Sequence, residues 1–175
     1  MLQTTVIGLI TIAILGFVGN LHQSTYEKTS SVILESNLVT VSSMVESDFN
    51  KIGYDAPSPS IVRADSVFSF LADLHNNGTV QTVTYAKALV PATSDTGLQR
   101  TVSGESSIIS NVGLSKLNFA YFDSLGNPTT VPSAVKSVNV MISLVNRGKT
   151  SVQDTSVTKH WIPSLFWTKT FYIQN

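Results

Sequence analysis

The sequence contains no cysteine and few charged residues. Of its 175 residues, 42% are hydrophobic and only 13% are charged, with 11 basic and 11 acidic side chains. Without cysteine, the chain cannot form a disulfide framework, a zinc–thiolate site or a thiol nucleophile. A formal net charge of zero disfavours a nucleic-acid-binding surface and an electrostatic membrane anchor, because both depend on an excess of basic residues.

Common motifs of catalysis and metal binding are also missing from the sequence. It contains no Gly-x-Ser-x-Gly elbow and no glycine-rich phosphate loop. The three histidines, His22, His75 and His160, are too far apart in sequence to match the spacing of a metal site. We therefore expect a protein that is not an enzyme and that binds no cofactor and no metal.

Residues 73–78, which read DLHNNG, imitate the first half of a calcium-binding loop. The glutamate that would complete such a loop is missing, because Thr84 occupies its position. A hairpin turn built on Asn-Gly explains the same residues. Asn77-Gly78-Thr79 also forms a glycosylation sequon. We predict a turn in this segment and not a calcium site.

The N-terminal segment is apolar and uncharged. No charged residue precedes Glu27, and residues 6–18 read VIGLITIAILGFV. With its flanks, this run could cross ~30 Å of hydrocarbon as a helix. A secretory signal peptide would need a basic start and a small-residue cleavage site, and a buried globular helix would carry polar residues on one side. We predict that residues 1–23 form a helix that lies in a membrane or in a filament core.

Residues 24–54 show the pattern of an amphipathic helix. Apolar residues recur every three or four positions, at Leu34, Leu38, Val41, Val45, Phe49 and Ile52. Ile33 and Met44 widen this apolar stripe, whereas Asp48 and the other charged residues are predicted to lie mostly off it. A glycine and two prolines then stop the helix. This half of the helix needs an apolar surface to cover.

From residue 55 onward the apolar period changes from about 3.6 to two. This alternation predicts strands at residues 67–74, 79–87, 98–102, 117–122, 137–145 and 166–173. The first two strands flank the Asn-Gly turn as a hairpin, and a polar loop is predicted at 146–154. Because no helix separates the strands, residues 55–175 are predicted to form an antiparallel sheet. The fold class is α+β, with a long N-terminal helix packed on an antiparallel β-sheet.

This layout resembles the type IV pilin-like family, which includes pilus subunits and the minor pseudopilins of type II secretion. Short runs in the same order are similar to that family: ESDFNKIGY at 46–54, FSFLAD at 68–73, NGTVQTVTY at 77–85, LQRTV at 98–102, LNFAYFD at 117–123, GN at 126–127, SVNV at 137–140 and IQN at 173–175. The order of the runs is more specific than any one of them.

The resemblance implies a structural subunit of an extracellular type IV pilus-like filament, a helical homo-oligomer of identical chains. The subunit would wait in the inner membrane and be extracted by the pilus assembly machinery. Two alternatives are a minor pseudopilin at the tip of a type II secretion pseudopilus and a membrane-anchored periplasmic binding module. The implied assembly residues are Met1, Thr5, Val6, Ile7, Leu9, Ile10, Ile12, Ile14, Leu15, Phe17 and Val18.

The sequence departs from the family pattern at three features of the N-terminal segment. A basic leader peptide is missing, so Met1 is expected to be the mature first residue and the site of N-methylation. Thr5 stands where the family usually has a glutamate. The helix-breaking proline is also missing, and Gly16, Gly19 and Asn20 are the expected hinge instead. We expect non-helical backbone between residues 15 and 24 in a filament, and an uninterrupted helix in an unassembled subunit.

Overall fold

The computed structural model describes residues 2–90, 95–146 and 164–173, with the backbone alone for residues 2–7 and 9. The α+β class, with one long N-terminal helix and antiparallel sheets, is confirmed. Most of the predicted loop 146–154, and His160, lie outside the described residues. In this part of the chain the elements are helix α1 (Leu2–Phe49), strands β1 (Ile61–Ala64), β2 (Phe68–Ala72), β3 (Gln81–Leu89), β4 (Thr96–Val102), β5 (Glu105–Ile108) and β6 (Gly113–Phe122), a 3-10 turn (Pro132–Ala134), and strands β7 (Ser137–Val145) and β8 (Ser164–Tyr172).

The strands form two sheets where the sequence predicted one. Strands β1 to β5 make a five-stranded sheet in chain order, and β6 to β8 make a three-stranded sheet, with every neighbouring pair antiparallel. The two short strands β1 and β5 were not predicted. Alternation along a strand shows which residues share a face, but it does not show which strands pair. The division into two sheets was therefore outside what the pattern could give.

The predicted hairpin is real, but its turn is longer than a two-residue Asn-Gly turn. Ala72 pairs with Gln81, so the connection comprises residues 73–80. A tight turn occurs instead between β4 and β5, where Val102 pairs with Glu105. The two residues between them, Ser103 and Gly104, have φ of 50° and 95°, which is the backbone geometry that matches the twist of a hairpin.

The second half of α1 buries its apolar stripe in the core between helix and sheets. Leu34, Val41, Val45 and Phe49 are buried and Leu38 is half-buried. The prediction for Ile33 was wrong, since its side chain is 43% exposed. The helix ends at Phe49, and Ile52, in the turn that follows, is also buried.

Phe49 lies where the helix and the two sheets meet. Its ring centroid is 5.1 Å from that of Phe68 and 5.4 Å from that of Phe70, both on β2. On the other sheet, the ring of Phe171 lies 5.0 Å away. Aromatic rings at these separations attract one another in addition to the apolar area that they bury. One aromatic residue of α1 therefore joins the three layers.

Candidate assembly surface

The first half of helix α1 extends away from the body of the protein. Every side chain from residue 10 to residue 29 is exposed, and Ser30, which follows them, is buried. These twenty positions span about 30 Å at 1.5 Å per residue. We define these exposed residues, 10–29, as the projecting segment.

Large apolar side chains cover the projecting segment. Ile12 is 69% exposed and Leu15 is 66% exposed, whereas Leu34 on the docked half of the same helix is fully buried. The exposed apolar residues are Ile10, Ile12, Ile14, Leu15, Phe17, Val18 and Leu21. An uncovered apolar surface of this size is unfavourable in water and is typical of an interaction surface.

The apolar side chains point in several directions around the helix axis. Successive residues advance by about 100°, so Ile10 and Ile12 lie on nearly opposite sides, as do Leu15 and Phe17. A helix that docks on one partner needs only a single apolar face. This segment would therefore need an apolar surrounding on several sides to cover it.

Several predicted assembly residues lie outside the described part of the chain. Met1 is not described, and the side chains of Thr5, Val6, Ile7 and Leu9 are not described either. The assembly roles assigned to these residues, and N-methylation at Met1, stay predictions. Within the described residues, no helix combines the length and hydropathy that a bilayer crossing needs.

The expected hinge is helical in the single chain. Helix α1 continues without interruption through residues 15–24, the geometry expected of an unassembled subunit. A Cβ atom added at Gly16 or Gly19 would have no atom within 4 Å apart from its chain neighbours and the adjacent backbone of the helix. The hinge function of Gly16, Gly19 and Asn20 concerns the assembled state and stays a prediction.

A buried ion pair fixes the end of α1 to the five-stranded sheet. Asp48, which was predicted to lie off the buried stripe, is only 5% exposed. Its Oδ2 accepts hydrogen bonds from Arg100 Nε at 2.6 Å and from the Tyr85 hydroxyl at 2.7 Å. Its Oδ1 accepts a third bond from Arg100 Nη2 at 3.1 Å. The prediction was wrong because helical periodicity treats every charged residue as exposed, whereas this carboxylate is buried with its partners.

The pKa values of both partners reflect this buried contact. Burial, followed by the charge of Asp48, raises the pKa of Tyr85 above its ordinary value. The hydrogen bond to Asp48 raises the pKa of the Arg100 guanidinium. Tyr85 therefore stays a neutral hydrogen-bond donor and Arg100 stays charged across the physiological range. Both residues lie in the runs that resemble pilins, but no sequence signal paired either of them with Asp48.

Polar contacts along the docked half of α1 reinforce the apolar packing. The Asn146 amide donates to Ser30 Oγ at 2.9 Å, and the Asn111 main-chain amide donates to Asn37 Oδ1 at 3.2 Å. Near the end of the helix, Lys169 Nζ lies 2.8 Å from Glu46 Oε2. These contacts come from β8, from the residue that follows β7 and from the segment that joins the two sheets, so the docked half is held along its length.

The calcium-like segment is arranged as a main-chain turn. The buried Asp73 carboxylate accepts hydrogen bonds from the amides of His75 and Gly78, at 3.1 Å and 2.6 Å. Its oxygens are therefore already used by the loop's own backbone. His22 and His75 are exposed, and no group of three potential metal ligands occurs in the part of the chain that the structure describes.

The projecting segment and the contacts of the docked half are the features that a related protein would be expected to share. Comparisons with protein-family models, with curated proteins and with solved structures found no match. The resemblance to the type IV pilin-like family therefore stays a prediction from the sequence.

Proposed function

We propose that this chain is a structural subunit of an extracellular type IV pilus-like filament, a homo-oligomer that polymerises through the N-terminal half of α1. The observation that carries the proposal is the projecting segment, whose apolar side chains are exposed around the helix. In a helical filament, the same segments of neighbouring chains surround one another. Such packing removes this apolar area from water, which stabilises the filament by roughly 25 cal/mol for each Å² of apolar surface buried.

The division of α1 into an apolar assembly half and an amphipathic docking half is part of this proposal. The docked half is fixed to the β-rich body by Phe49 and by the ion pair between Asp48 and Arg100. The body would lie outside the filament core, where its exposed polar strands face solvent. Each subunit thus combines a rigid attachment with a free apolar segment.

The experiment introduces a charge into the projecting segment of the chain in its native cell. We expect Leu15→Lys to abolish filaments, because a buried unpaired ammonium is strongly unfavourable in an apolar core. Filaments are sheared from cells, viewed by electron microscopy and quantified with an antibody. Leu125→Lys is the matched control, since Leu125 is an exposed leucine of the body, and we expect normal filaments from it.

The outcomes separate the proposal from its alternatives. A Leu15→Lys subunit present in sheared fibres at the unsubstituted level would contradict assembly through this segment. Trace amounts of the unsubstituted chain at fibre ends would indicate a minor pseudopilin at a tip. A chain that stays in the cell fraction with no fibres would indicate an anchored binding module.

A further inference from the structure

The loop between β2 and β3 carries a reactive bond that the filament proposal does not use. Asn77-Gly78 lies in residues 73–80, and the side chain of Asn77 is exposed. In an Asn-Gly sequence the main-chain nitrogen of glycine can attack the asparagine side chain, because glycine has no side chain to obstruct the approach. The segment can therefore deamidate without an enzyme.

The reaction needs no co-reactant other than water. The Gly78 main-chain nitrogen loses its proton and forms a bond to Asn77 Cγ. The bond from Cγ to Nδ2 then breaks, and ammonia leaves with the proton that it needs. Water opens the resulting succinimide ring to aspartate or isoaspartate. The product carries one additional negative charge, and its mass increases by about 1 Da.

Both reacting groups are held in hydrogen bonds by the loop. The Gly78 N–H donates to Asp73 Oδ2 at 2.6 Å, a charge-assisted contact with a carboxylate that is fully buried. Asn77 Oδ1 accepts a hydrogen bond from the Thr79 amide at 2.9 Å, which fixes the orientation of the asparagine side chain. The Gly78 nitrogen cannot attack until its N–H is released from Asp73.

The Asp73 charge also opposes the first step of the reaction. Removing the proton from Gly78 N would place a developing negative charge next to the Asp73 carboxylate. Like charges at this separation repel strongly, above all where one of them is buried. We propose that Asn77 is a latent deamidation site and that Asp73 sets its rate by holding the Gly78 amide.

The experiment measures deamidation in the full-length chain. The unsubstituted protein and Asp73→Asn are incubated at pH 8, below their melting transitions, and conversion at Asn77 is followed by peptide mass spectrometry. We expect Asp73→Asn to react about tenfold faster, the order of magnitude for loss of one charge-assisted hydrogen bond. We expect the folded unsubstituted chain to react more than tenfold slower than the same chain unfolded in urea.

The control is another aspartate that holds its own loop. Asp123 accepts hydrogen bonds from the amides of Leu125 and Asn127, and Pro128 after that asparagine has no N–H with which to react. Asp123→Asn should leave conversion at Asn77 unchanged. Equal rates for Asp73→Asn and the unsubstituted protein would overturn the proposal. A folded rate within twofold of the urea-unfolded rate would overturn it without any substitution.

Discussion

At the scale of single residues, the contact between Asp48, Arg100 and Tyr85 determines how the helix meets the sheet. A buried carboxylate is costly unless it is paired with a cation and hydrogen-bonded, and here three hydrogen bonds converge on it. Such a pair adds little net stability relative to an apolar replacement, but losing one partner leaves an uncompensated charge. The contact therefore defines one position of the helix on the five-stranded sheet.

Replacing Arg100 with methionine should destabilise the protein strongly. The change leaves the Asp48 carboxylate buried without its cation, and we expect a loss of about 3 kcal/mol in the free energy of unfolding. Urea unfolding followed by tryptophan fluorescence measures the difference. In contrast, Lys169→Met removes the more exposed pair with Glu46 and should cost less than about 1 kcal/mol. Equal losses for the two variants would show that the Asp48 contact contributes no more to the free energy of unfolding than the pair between Lys169 and Glu46.

A second prediction at the scale of single residues concerns the stability of the protein at acidic pH. Hydrogen bonds from the amide of Asn127, and then from that of Leu125, hold the pKa of Asp123 below its ordinary value of 3.8. A carboxylate whose pKa is lowered in the folded state stabilises the protein above about pH 4, and this contribution disappears as the pH falls further. Between pH 5 and pH 2, thermal melting should therefore shift less for Asp123→Asn than for the unsubstituted protein. Parallel shifts would mean that Asp123 has the same pKa folded and unfolded.

At the scale of elements, helix α1 has two halves with different requirements. The half that includes Leu34 and Phe49 is stabilised by the core that it covers, whereas the side chains of residues 10–29 are exposed. Most of the stability of a protein helix comes from packing of its apolar face. The projecting segment is therefore the part of α1 whose geometry is most sensitive to its surroundings.

The glycine hinge is tested by replacing both Gly16 and Gly19 with alanine. Alanine fits at both positions in the single chain and favours the helix by about 1 kcal/mol per site. We expect the subunit to be at least as helical by circular dichroism, and filaments to form in lower yield. Electron microscopy of sheared filaments measures yield and symmetry. Normal yield with unchanged helical symmetry in the double variant would exclude these glycines as the hinge.

At the scale of the whole molecule, the body should fold without the residues that precede position 24. Residues 10–23 bury no side chain in the body, so a chain that begins at residue 24 loses no core contact made by the side chains that the structure describes. We expect this shortened chain to be monomeric without detergent and to melt within a few degrees of the full-length protein. Light scattering and calorimetry give these two quantities. A large drop in melting temperature would show that the N-terminal segment supports the body.

The sequence predicted the local elements of the fold better than their arrangement. The stripe from Leu34 to Phe49 and the strand Ser137–Val145 were predictable because apolar periodicity is a local property. The division into two sheets depends on contacts between distant residues. The pairing of Asp48 with Arg100 joins positions 52 residues apart. A single charged residue in a helical pattern does not indicate that it has such a distant partner. Strand β5, Glu105–Ile108, is short and mostly polar and gave no strand signal.

Because the docked half of α1 is long, the mechanical strength of its attachment to the body depends on the direction of the applied force. The contacts from Ser30 to Phe49 follow the helix axis over about 28 Å. A force applied along that axis loads these contacts together, in shear, and the Asp48 ion pair at the far end shares the load. A force applied across the axis opens them one after another, beginning at Ser30, as a peeling front. The same joint should therefore resist tension along the helix far better than a sideways pull.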